Sequence, residues 1–287
     1  MVLFTDGGST KCDWVLLNAK GKKILQTQTL GLNPTVISPE ELESRILYNP
    51  QLREIMMEVE KVDFYGAGCG TKTPRNVLHQ VLKELFSNAA VTVQEDLAAA
   101  VYAVTTLPGI ICILGTGSNS CFFDGTHIHS PIPALGYSIM DEASGNYFGK
   151  QLLRDYFYQK MPTHLAEKFE ENFNLNADEI KVNLYQKSNP NAYLASFAQF
   201  IFTEKCADPY FKALLEEGLE RFIQARILTF KEARNFPVHF IGSIAHFSKE
   251  IIENCFARYG LHLGNVVQRP MDGLVTYYQQ KIQSSKH

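Results

Sequence analysis

Two glycine-rich loops carry backbone amides and hydroxyl groups that could bind phosphate. The strand predicted over 2–5 is followed by Asp6-Gly7-Gly8-Ser9-Thr10-Lys11, and the strand predicted over 110–114 is followed by Gly115-Thr116-Gly117-Ser118-Asn119-Ser120. Glycine lets the backbone approach a ligand, and turn amides with hydroxyl side chains can bind phosphate oxygens. Either loop alone could equally be a hairpin turn. Two such loops at matching points of a repeat favour a site in which each loop binds one side of a polyphosphate. Neither loop matches the P-loop sequence motif.

Acidic side chains stand at two predicted strand ends. Asp6 closes the first strand, where a carboxylate can hold a magnesium ion, usually through water. Asp96 lies where a strand passes into an alanine-rich helix, a rigid junction that faces a cleft in open α/β sheets. It could take a proton from a hydroxyl group as a general base, but base rates favour a plain helix N-cap. The adjacent Glu95 leaves the choice of carboxylate open on chemistry alone.

Three further segments could contact a polar ligand. The loop Gly66-Ala67-Gly68-Cys69-Gly70-Thr71 lacks the spacing of a dinucleotide fingerprint, so it is either a loop lining a cleft or a structural turn. A turn is predicted at Asn33-Pro34, and its Asn side chain could bind an amide or a hydroxyl. The acids of Asp141-Glu142-Ala143-Ser144-Gly145 could bind sugar hydroxyls, or the segment could simply begin a helix.

The elements that must position these residues follow a pattern that occurs twice. Strands are predicted over 2–5, 14–17, 24–30, 62–65, 91–93, 110–114, 121–123, 127–129 and 238–241. Helices are predicted over 40–48, 51–60, 75–86, 97–104 and 244–259, with a mostly helical stretch over 145–235 and a last helix at the end of the chain. Three strands joined by a glycine turn and a polar turn open each half, which suggests a duplicated domain. We therefore predict an α/β fold with mixed sheets flanked by helices.

Length and composition fit two globular domains. The chain has 287 residues, 45% of them hydrophobic, and a net charge of −3. This composition excludes a disordered chain and argues against nucleic acid as a partner. The sequence has neither an apolar run long enough to cross a membrane nor a basic, apolar N-terminal signal, so we expect a cytoplasmic protein. The six cysteines form no Cys-x-x-Cys pair and are expected to be reduced.

Taken together, the loops resemble the BadF/BadG/BcrA/BcrD ATPase family of the actin-like sugar kinase and heat-shock ATPase superfamily, and within it the N-acetylglucosamine kinases. The segment 6–11 is similar to the first phosphate motif, and 114–119 is similar to the second and is the most specific match. The segment 240–245, Phe-Ile-Gly-Ser-Ile-Ala, resembles the adenosine motif. Residues 271–274 resemble the C-terminal segment of the family. The resemblance covers nearly the whole chain.

The resemblance implies two ribonuclease-H-like lobes with a cleft between them. The first lobe would span 1–107 and the second 108–287, with a helical insertion over about 145–235. The last helix would pack back on the first lobe.

The activity implied by the resemblance is ATP-dependent phosphorylation of an amino sugar at its 6-hydroxyl. N-acetylglucosamine is the first candidate, with N-acetylmuramic acid, N-acetylmannosamine and glucose as alternatives. The general base falls on Asp96 rather than Glu95, and Asp6 would assist catalysis by holding Mg²⁺ through water. ATP would contact Gly7, Gly8, Ser9, Thr10, Lys11, Gly115, Thr116, Gly117, Gly242 and Ser243. The sugar would contact Asn33, Gly68, Asp96, Ser118, Asn119 and Asp141. A homodimer also suits the resemblance.

One motif departs from the family pattern. The family has Gly-Asp-Glu-Gly-Ser-Gly where this chain has Met140 and Ala143 in place of the first two glycines. Neither residue reaches positive φ as cheaply as glycine, so the loop conformation could change. This departure motivates one alternative of the same fold, a sugar- or nucleotide-binding regulatory protein without turnover. A second alternative is an ATPase of the same family whose hydrolysis drives a partner.

Overall fold

The computed structural model describes residues 1–8, 10–203 and 208–284. This part of the chain divides into two compact units. The first unit contains Met1–Thr106 and the C-terminal segment that begins at Arg269, and the second contains Leu107–Gln268. Chain that follows the second unit therefore completes the first.

Strands and helices alternate along most of the chain. The strands are β1 (Val2–Gly7), β2 (Lys11–Leu17), β3 (Lys23–Leu30), β4 (Lys61–Gly66), β5 (Ala90–Glu95), β6 (Gly109–Leu114), β7 (Ser118–Phe123), β8 (Ile128–His129), β9 (Val238–Ile241) and β10 (Leu263–Val267). The helices are α1 (Pro39–Leu47), α2 (Pro50–Ile55), α3 (Lys72–Leu85), α4 (Asp96–Val104), α5 (Gly145–Phe157), α6 (Thr163–Asn172), α7 (Ala177–Tyr185), α8 (Pro190–Phe197), α9 (Gln199–Thr203), α10 (Pro209–Phe222), α11 (Ser243–Phe247), α12 (Lys249–Tyr259) and α13 (Met271–Ser284). A π-helical turn, Ile223–Ile227, continues α10. Among the described residues, no helix is both long and apolar enough to span a bilayer.

Each unit contains a mixed sheet, and the two sheets share one topology. The strand order is β3-β2-β1-β4-β5 in the first sheet and β8-β7-β6-β9-β10 in the second. In each sheet three strands form an antiparallel meander, and two later strands continue the sheet in parallel beyond the first strand. This repeat confirms the predicted α/β fold with mixed sheets and helices.

The parallel strands of each sheet end at one level. Gly7 of β1 pairs with Gly66 of β4, and Gly66 pairs with Glu95 of β5. In the second sheet, Ile113 of β6 pairs with Ile241 of β9. The loops that follow these strands therefore leave from one edge of their sheet, which is where ligands bind in open α/β sheets.

Each unit has its own apolar core. In the first unit the ring of Trp14 is fully buried, with its centroid 5.9 Å from that of Phe64 and 6.3 Å from that of Phe86. In the second unit the helices contribute a cluster of aromatic side chains, in which the ring of Phe169 lies 5.1 Å from that of Phe200. Burial of such rings is the main stabilising contribution of both cores.

The last helix packs within the first unit. Gly273 of α13 lies so close to α4 that a Cβ atom at this position would come within 2.1 Å of the carbonyl oxygen of Ala103. The ring of Tyr278 stacks on that of Phe4 at 4.2 Å, and its hydroxyl donates to Asp63 Oδ2 at 2.7 Å. This helix therefore supports β1, β4 and α4, which carry candidate site residues of the first unit.

Two predicted helices differ from the structure, and one strand was not predicted. The helix predicted over 51–60 ends at Ile55, and the helix predicted over 244–259 is interrupted at the buried Ser248. Strand β10 was not predicted, because Gly264 and Asn265 are residue types that strands disfavour. Gly264 and Asn265 both contact His239 of β9. A Cβ atom at Gly264 would lie 2.6 Å from the ring atom Nδ1 of His239, and the backbone amide of Asn265 donates to that atom at 3.0 Å.

Candidate functional site

The first glycine loop joins β1 to β2. The amide of Gly8 donates to the carbonyl of Lys11 at 2.9 Å, and the amide of Gly31 donates to the carbonyl of Thr10 at 3.0 Å. A Cβ atom at Gly7 would lie 2.9 Å from Phe64 Cζ, so packing between strands requires glycine at this position whatever the loop binds. Gly8 and Thr10 lie in the turn, as predicted, whereas Lys11 is the first residue of β2. Ser9 lies outside the described residues.

Two carboxylates face each other across this hairpin. Asp6 is the register partner of Asp13 on β2, and directly opposed residues of antiparallel strands share a face. Burial, and then the charge of Asp13, raise the pKa of Asp6 to about 6, whereas the charge of Lys11 lowers it. Lys11 Nζ lies 3.1 Å from Asp13 Oδ2, and Gln28 donates to the same carboxylate. The sequence indicated Asp6 but not Asp13, because the pairing depends on strand register.

This pair of carboxylates fits a magnesium site. Mg²⁺ takes oxygen ligands, and in nucleotide-binding sites it is usually held by one or two carboxylates together with water and substrate phosphates. The described residues contain no cluster of three or more His, Cys, Asp or Glu side chains suited to a metal, so a cage made of protein ligands alone is not present there. Asp6, with Asp13 beside it, supplies the oxygen donors and the negative charge that such a partly hydrated cation would offset.

Asp96 occupies the first position of a helix rather than its cap. Strand β5 ends at Glu95, which is the N-cap residue, and α4 begins at Asp96. The N-cap interpretation of Asp96, which base rates favoured, is therefore wrong, because the helix begins at Asp96 itself, one residue earlier than that interpretation needs. The positive end of the helix dipole favours an ionised carboxylate at this position. A carboxylate in this state can accept a proton.

The loop after β4 lies beside this carboxylate. Burial, followed by the negative charge of Asp96, raises the pKa of the Cys69 thiol to about 12. A Cβ atom at Gly70 would lie 2.8 Å from Glu95 Oε1. Arg75 of α3 holds the loop, because Nε donates to the Cys69 carbonyl at 2.9 Å and Nη2 donates to the Gly70 carbonyl at 3.1 Å. Sequence reasoning missed Arg75, which looks like an ordinary residue on a helix surface.

Asn33 and Gly68, both predicted sugar contacts, touch each other. Gly68 has a φ of +78°, and a Cβ atom there would lie 2.0 Å from Asn33 Oδ1. This oxygen accepts from the backbone amide of Thr35 at 2.9 Å and from its hydroxyl at 2.6 Å. Only glycine fits position 68, both because of its φ and because of the close approach of Asn33. The amide of Ala67 also donates to the Gly7 carbonyl at 2.8 Å, which ties this loop to the first glycine loop.

In the second unit, the second glycine loop is joined to the start of α5. The Gly115 amide donates to the Gly117 carbonyl at 3.0 Å. From the helix, the Gly145 amide donates to the Gly115 carbonyl at 2.8 Å, and the Asn146 amide donates to the Thr116 carbonyl at 3.0 Å. The structure thus joins the predicted phosphate residues to the segment that follows Asp141.

The predicted adenosine motif packs against the same loop. Gly242 has a φ of +119°, and a Cβ atom there would lie 2.2 Å from the carbonyl oxygen of Leu114. Ser243 is the first residue of α11. The strand ends of β6 and β9 and their following glycines therefore meet, and position 242 admits only glycine for both steric and conformational reasons.

Asp141 is the centre of a buried polar cluster. Its Oδ1 accepts from the Ser118 amide at 3.2 Å, and its Oδ2 accepts from Asn146 Nδ2 at 2.8 Å. A Cβ atom at Gly117 would lie 2.9 Å from the same Oδ2. Burial raises the pKa of Asp141, whereas the hydrogen bonds and the charge of Arg226 lower it. Asn119 is the next residue on β7, and successive side chains of a strand point to opposite faces.

Two buried oxygens in this cluster lack a hydrogen bond among the described residues. They are Ser118 Oγ and Asn146 Oδ1. The orientation of the Asn146 amide is fixed, because only its NH₂ group can donate to the carboxylate of Asp141. Buried polar atoms normally find partners, so unpaired ones in a glycine-lined site favour a polar ligand. The sequence indicated Ser118, but nothing in it distinguished Asn146 from other helix residues.

The substituted segment 140–145 contains two residues with a left-handed backbone conformation. Asp141 has a φ of +73° and Ala143 a φ of +55°, whereas Met140 does not have a positive φ. A left-handed residue other than glycine costs about 1–2 kcal/mol, and Asp bears this cost better than Ala. Ala143 therefore takes a conformation that glycine would take cheaply, and the surrounding contacts of this buried residue hold it there.

Comparisons with known proteins give matches among solved structures. No protein-family model matches the chain, and no curated protein matches it. A protein from Porphyromonas gingivalis, named "Putative N-acetylglucosamine Kinase", is 33% identical, with a TM-score of 0.88 over 98% of this chain and 99% of that chain. One of the same name from Chromobacterium violaceum is 17% identical, with a TM-score of 0.70 over 96% of this chain and 98% of that one. A ROK family glucokinase from Streptomyces griseus, solved with glucose and AMPPNP, is 14% identical, with a TM-score of 0.58 over 96% of this chain and 97% of that chain.

These matches differ in what they establish. The Chromobacterium and Streptomyces proteins share the fold alone, which is the actin-like fold of sugar kinases, and so agree with the fold predicted for this chain. The predicted membership of the BadF/BadG/BcrA/BcrD family stays a prediction. Identity of 33% along nearly the full length of both chains is a stronger relationship. The chain belongs to the same protein family as the Porphyromonas gingivalis protein.

Proposed function

We propose that the protein is an ATP-dependent sugar kinase that phosphorylates the 6-hydroxyl of an amino sugar, with N-acetylglucosamine as the first candidate. The observation that carries the proposal is the matching position of the two glycine loops, each of which follows the first strand of its sheet. Its family relative from Porphyromonas gingivalis bears a name for the same activity. The unpaired buried oxygens beside Asp141 support a ligand rich in hydroxyl and amide groups.

In the proposed reaction, Asp96 accepts the proton of the sugar 6-hydroxyl. The oxygen then forms a bond to the γ-phosphorus of ATP while the bond to the β-phosphate oxygen breaks, and ADP leaves. The helix start at which Asp96 lies supports this role, since the positive end of the helix dipole favours an ionised carboxylate there. Mg²⁺, held by Asp6 and Asp13 through water, would offset charge on the phosphates.

The glycine loops bind ATP in this proposal. Amides of Gly7 and Gly8, with Thr10 and Lys11, contact phosphate oxygens in the first unit. Amides of 115–117 and the Thr116 hydroxyl do so in the second, where Gly242 and Ser243 contact adenosine. Backbone amides in glycine turns are suited to this role, because they are donors fixed in place before the charge of the transferring group develops.

The sugar contacts fall into two groups. Asn33 and Gly68 belong to the first unit with Asp96, and Ser118, Asn119 and Asp141 belong to the second. An ionised Asp141 accepts hydrogen bonds from sugar hydroxyls, and the neighbouring unpaired oxygens supply further partners. Sites that hydrogen-bond a substrate in this way discriminate strongly against analogues that lack the matching group.

A panel of sugars tests the proposal. Release of ADP from ATP and Mg²⁺ is measured with N-acetylglucosamine, N-acetylmannosamine, N-acetylmuramic acid, glucose and no sugar. Release that depends on one sugar, with phosphate found on its carbon 6 by NMR, supports the kinase. Release without sugar supports an ATPase that drives a partner, and binding of sugar or ATP without release supports a regulatory protein.

A further inference from the structure

A buried arginine contacts the segment that leads into Asp141. Arg226 is 1% exposed and belongs to the π-helical turn after α10. Its carbonyl accepts a hydrogen bond of 3.1 Å from the Ser120 hydroxyl on β7. Turns of this kind are rare and are frequent at functional sites. The turn thus places a cation from the helical part of the second unit against β7.

The guanidinium joins the two ends of one segment. Nη1 donates to the carbonyl of Ile132 at 3.3 Å, and Nη2 donates to Met140 Sδ at 3.3 Å. The middle of the segment is held separately, since Lys150 Nζ donates to the Tyr137 carbonyl at 3.1 Å. The fork of Arg can hold two acceptors in a fixed geometry, which the single ammonium group of Lys cannot do in the same way.

The charge of Arg226 acts on Asp141. Both acceptors of its hydrogen bonds are uncharged, although a buried cation is costly unless an anion offsets it. Burial raises the pKa of Asp141 most strongly, hydrogen bonds from Asn146 and Ser118 lower it, and the charge of Arg226 lowers it further. Glu142 is the other charged group that acts on this carboxylate, and it raises the pKa. The charge of Arg226 therefore favours the ionised form of Asp141.

We propose that Arg226 is a positioning residue for sugar binding, because it fixes both ends of the segment 132–140 and so holds the following residue, Asp141, in place. The proposal rests on the proposed function of Asp141 and deepens it. Met140 stands where the family pattern has glycine, so the sulfur acceptor that completes this arrangement is a feature of the present chain.

Two substitutions separate the geometry from the charge. Arg226→Met removes both, whereas Arg226→Lys keeps the charge and loses the fork. We expect both variants to raise the KM for the sugar about tenfold, the scale of one lost charge-assisted hydrogen bond, with the KM for ATP unchanged. In Arg226→Met the acid limb of kcat/KM for the sugar moves to higher pH, because Asp141 loses the charge that lowers its pKa. In Arg226→Lys that limb stays where it is in the wild type.

Controls guard against a general loss of folding. Arg258→Met removes an Arg from an exposed ion pair of the same unit, in which Nη2 lies 2.8 Å from Glu220 Oε1. This variant should leave the KM for the sugar, the KM for ATP and the acid limb of kcat/KM unchanged. If Arg226→Met does not fold, Met140→Leu takes its place. The Met140→Leu substitution keeps the volume of the apolar side chain and removes only the sulfur acceptor. It should raise the KM for the sugar and leave kcat unchanged.

Hydrogen exchange of the free protein tests the positioning role independently of any activity. We expect the amides of 132–141 to exchange faster in both Arg226 variants than in the wild type and in Arg258→Met. If the wild type phosphorylates no sugar, the proposed function fails, but the exchange rates still decide whether Arg226 holds the segment. An active wild type whose Arg226 variants keep its KM, acid limb and exchange rates would overturn the proposal.

Discussion

Asn146 Nδ2 lies 2.8 Å from Asp141 Oδ2, and both side chains are buried. The contact links the second residue of α5 to the carboxylate proposed to bind the sugar. Because the helix start also donates backbone amides to the second glycine loop, Asn146 connects the proposed sugar and phosphate sites of the second unit. Its Oδ1 atom has no hydrogen-bond partner among the described residues.

Asn146→Asp should weaken sugar binding strongly at neutral pH. The change keeps the shape of the side chain but replaces a donor by a second carboxylate next to Asp141. Two buried like charges in contact cannot both ionise, so the pair retains a proton and its apparent pKa values separate. We expect a rise of at least tenfold in the KM for the sugar, measured by coupled ADP release. Asn174→Asp introduces the same charge at an exposed turn and should have no effect.

The glycines at 242 and 260 form a matched pair for testing the close approach of the loops. Both have positive φ, but a Cβ at Gly242 meets the Leu114 carbonyl, whereas a Cβ at Gly260 meets nothing within 4 Å. Gly260→Ala should cost about 1 kcal/mol, the usual cost of a left-handed alanine. Gly242→Ala should cost about 3 kcal/mol or more, because its backbone (φ +119°, ψ +163°) lies in a region that is almost exclusive to glycine and because overpacking adds to this strain. Denaturant unfolding measures both, and equal losses would contradict the packing described for Gly242.

Ala143 should tolerate glycine and reject valine. Glycine relieves a conformational cost of about 1–2 kcal/mol, but it loses a buried methyl worth about 0.8 kcal/mol and gains about 0.4–1 kcal/mol of unfolded-state entropy. The free energy of unfolding of Ala143→Gly should therefore stay within about 1 kcal/mol of the wild type. Ala143→Val places a β-branched residue at positive φ in a fully buried site and should lose about 2 kcal/mol or more. A stable valine variant would show that the left-handed conformation at this position is wrong.

Asp6 should destabilise the metal-free protein at neutral pH. Its pKa in the fold, about 6, lies above its ordinary value of 3.8, so the folded state binds more protons between these values and stability falls as pH rises through them. In EDTA at pH 7, Asp6→Asn should raise the free energy of unfolding by about 1–2 kcal/mol, less than the full shift implies because solvent screens a partly exposed group.

The stabilisation by Asp6→Asn should vanish near pH 3, where the wild-type carboxyl group is protonated in both states. The same variant should lose most of its Mg²⁺-dependent activity at pH 7, because it lacks the ionised carboxylate proposed to hold the cation. Thermal unfolding at several pH values measures the first effect. A variant that is less stable than the wild type at pH 7 in EDTA would contradict the electrostatic account of Asp6 and Asp13.

The sequence predicted those features of the site that depend on local chemistry. The two glycine loops, the strand–helix junction at Asp96 and the turn at Asn33 are visible because strands, turns and caps have local residue preferences. The paired topology of the sheets followed from repetition of these local patterns. The assignment of Asp96 rather than Glu95 as the base came from a family resemblance and remains a prediction.

Other features depend on register and packing, which the sequence does not state. Asp13 matters because strand register sets it opposite Asp6. Asn146 and Arg226 look like ordinary helix residues until folding buries them near Asp141. Strand β10 forms despite Gly264 and Asn265, because the first makes room for the ring of His239 and the second donates its amide to that ring.

Phosphoryl transfer by the Asp96→Asn variant tests most directly the central claim that Asp96 is the general base of a sugar kinase. The substitution keeps the size of the side chain and removes its ability to accept the proton of the sugar hydroxyl. We expect ATP and N-acetylglucosamine to bind with wild-type affinity by calorimetry, while sugar-dependent ADP release falls by a factor of at least about 10², the low end of what a general base contributes. Binding retained together with wild-type transfer would contradict the assignment of Asp96 as the base and, with it, the proposed mechanism.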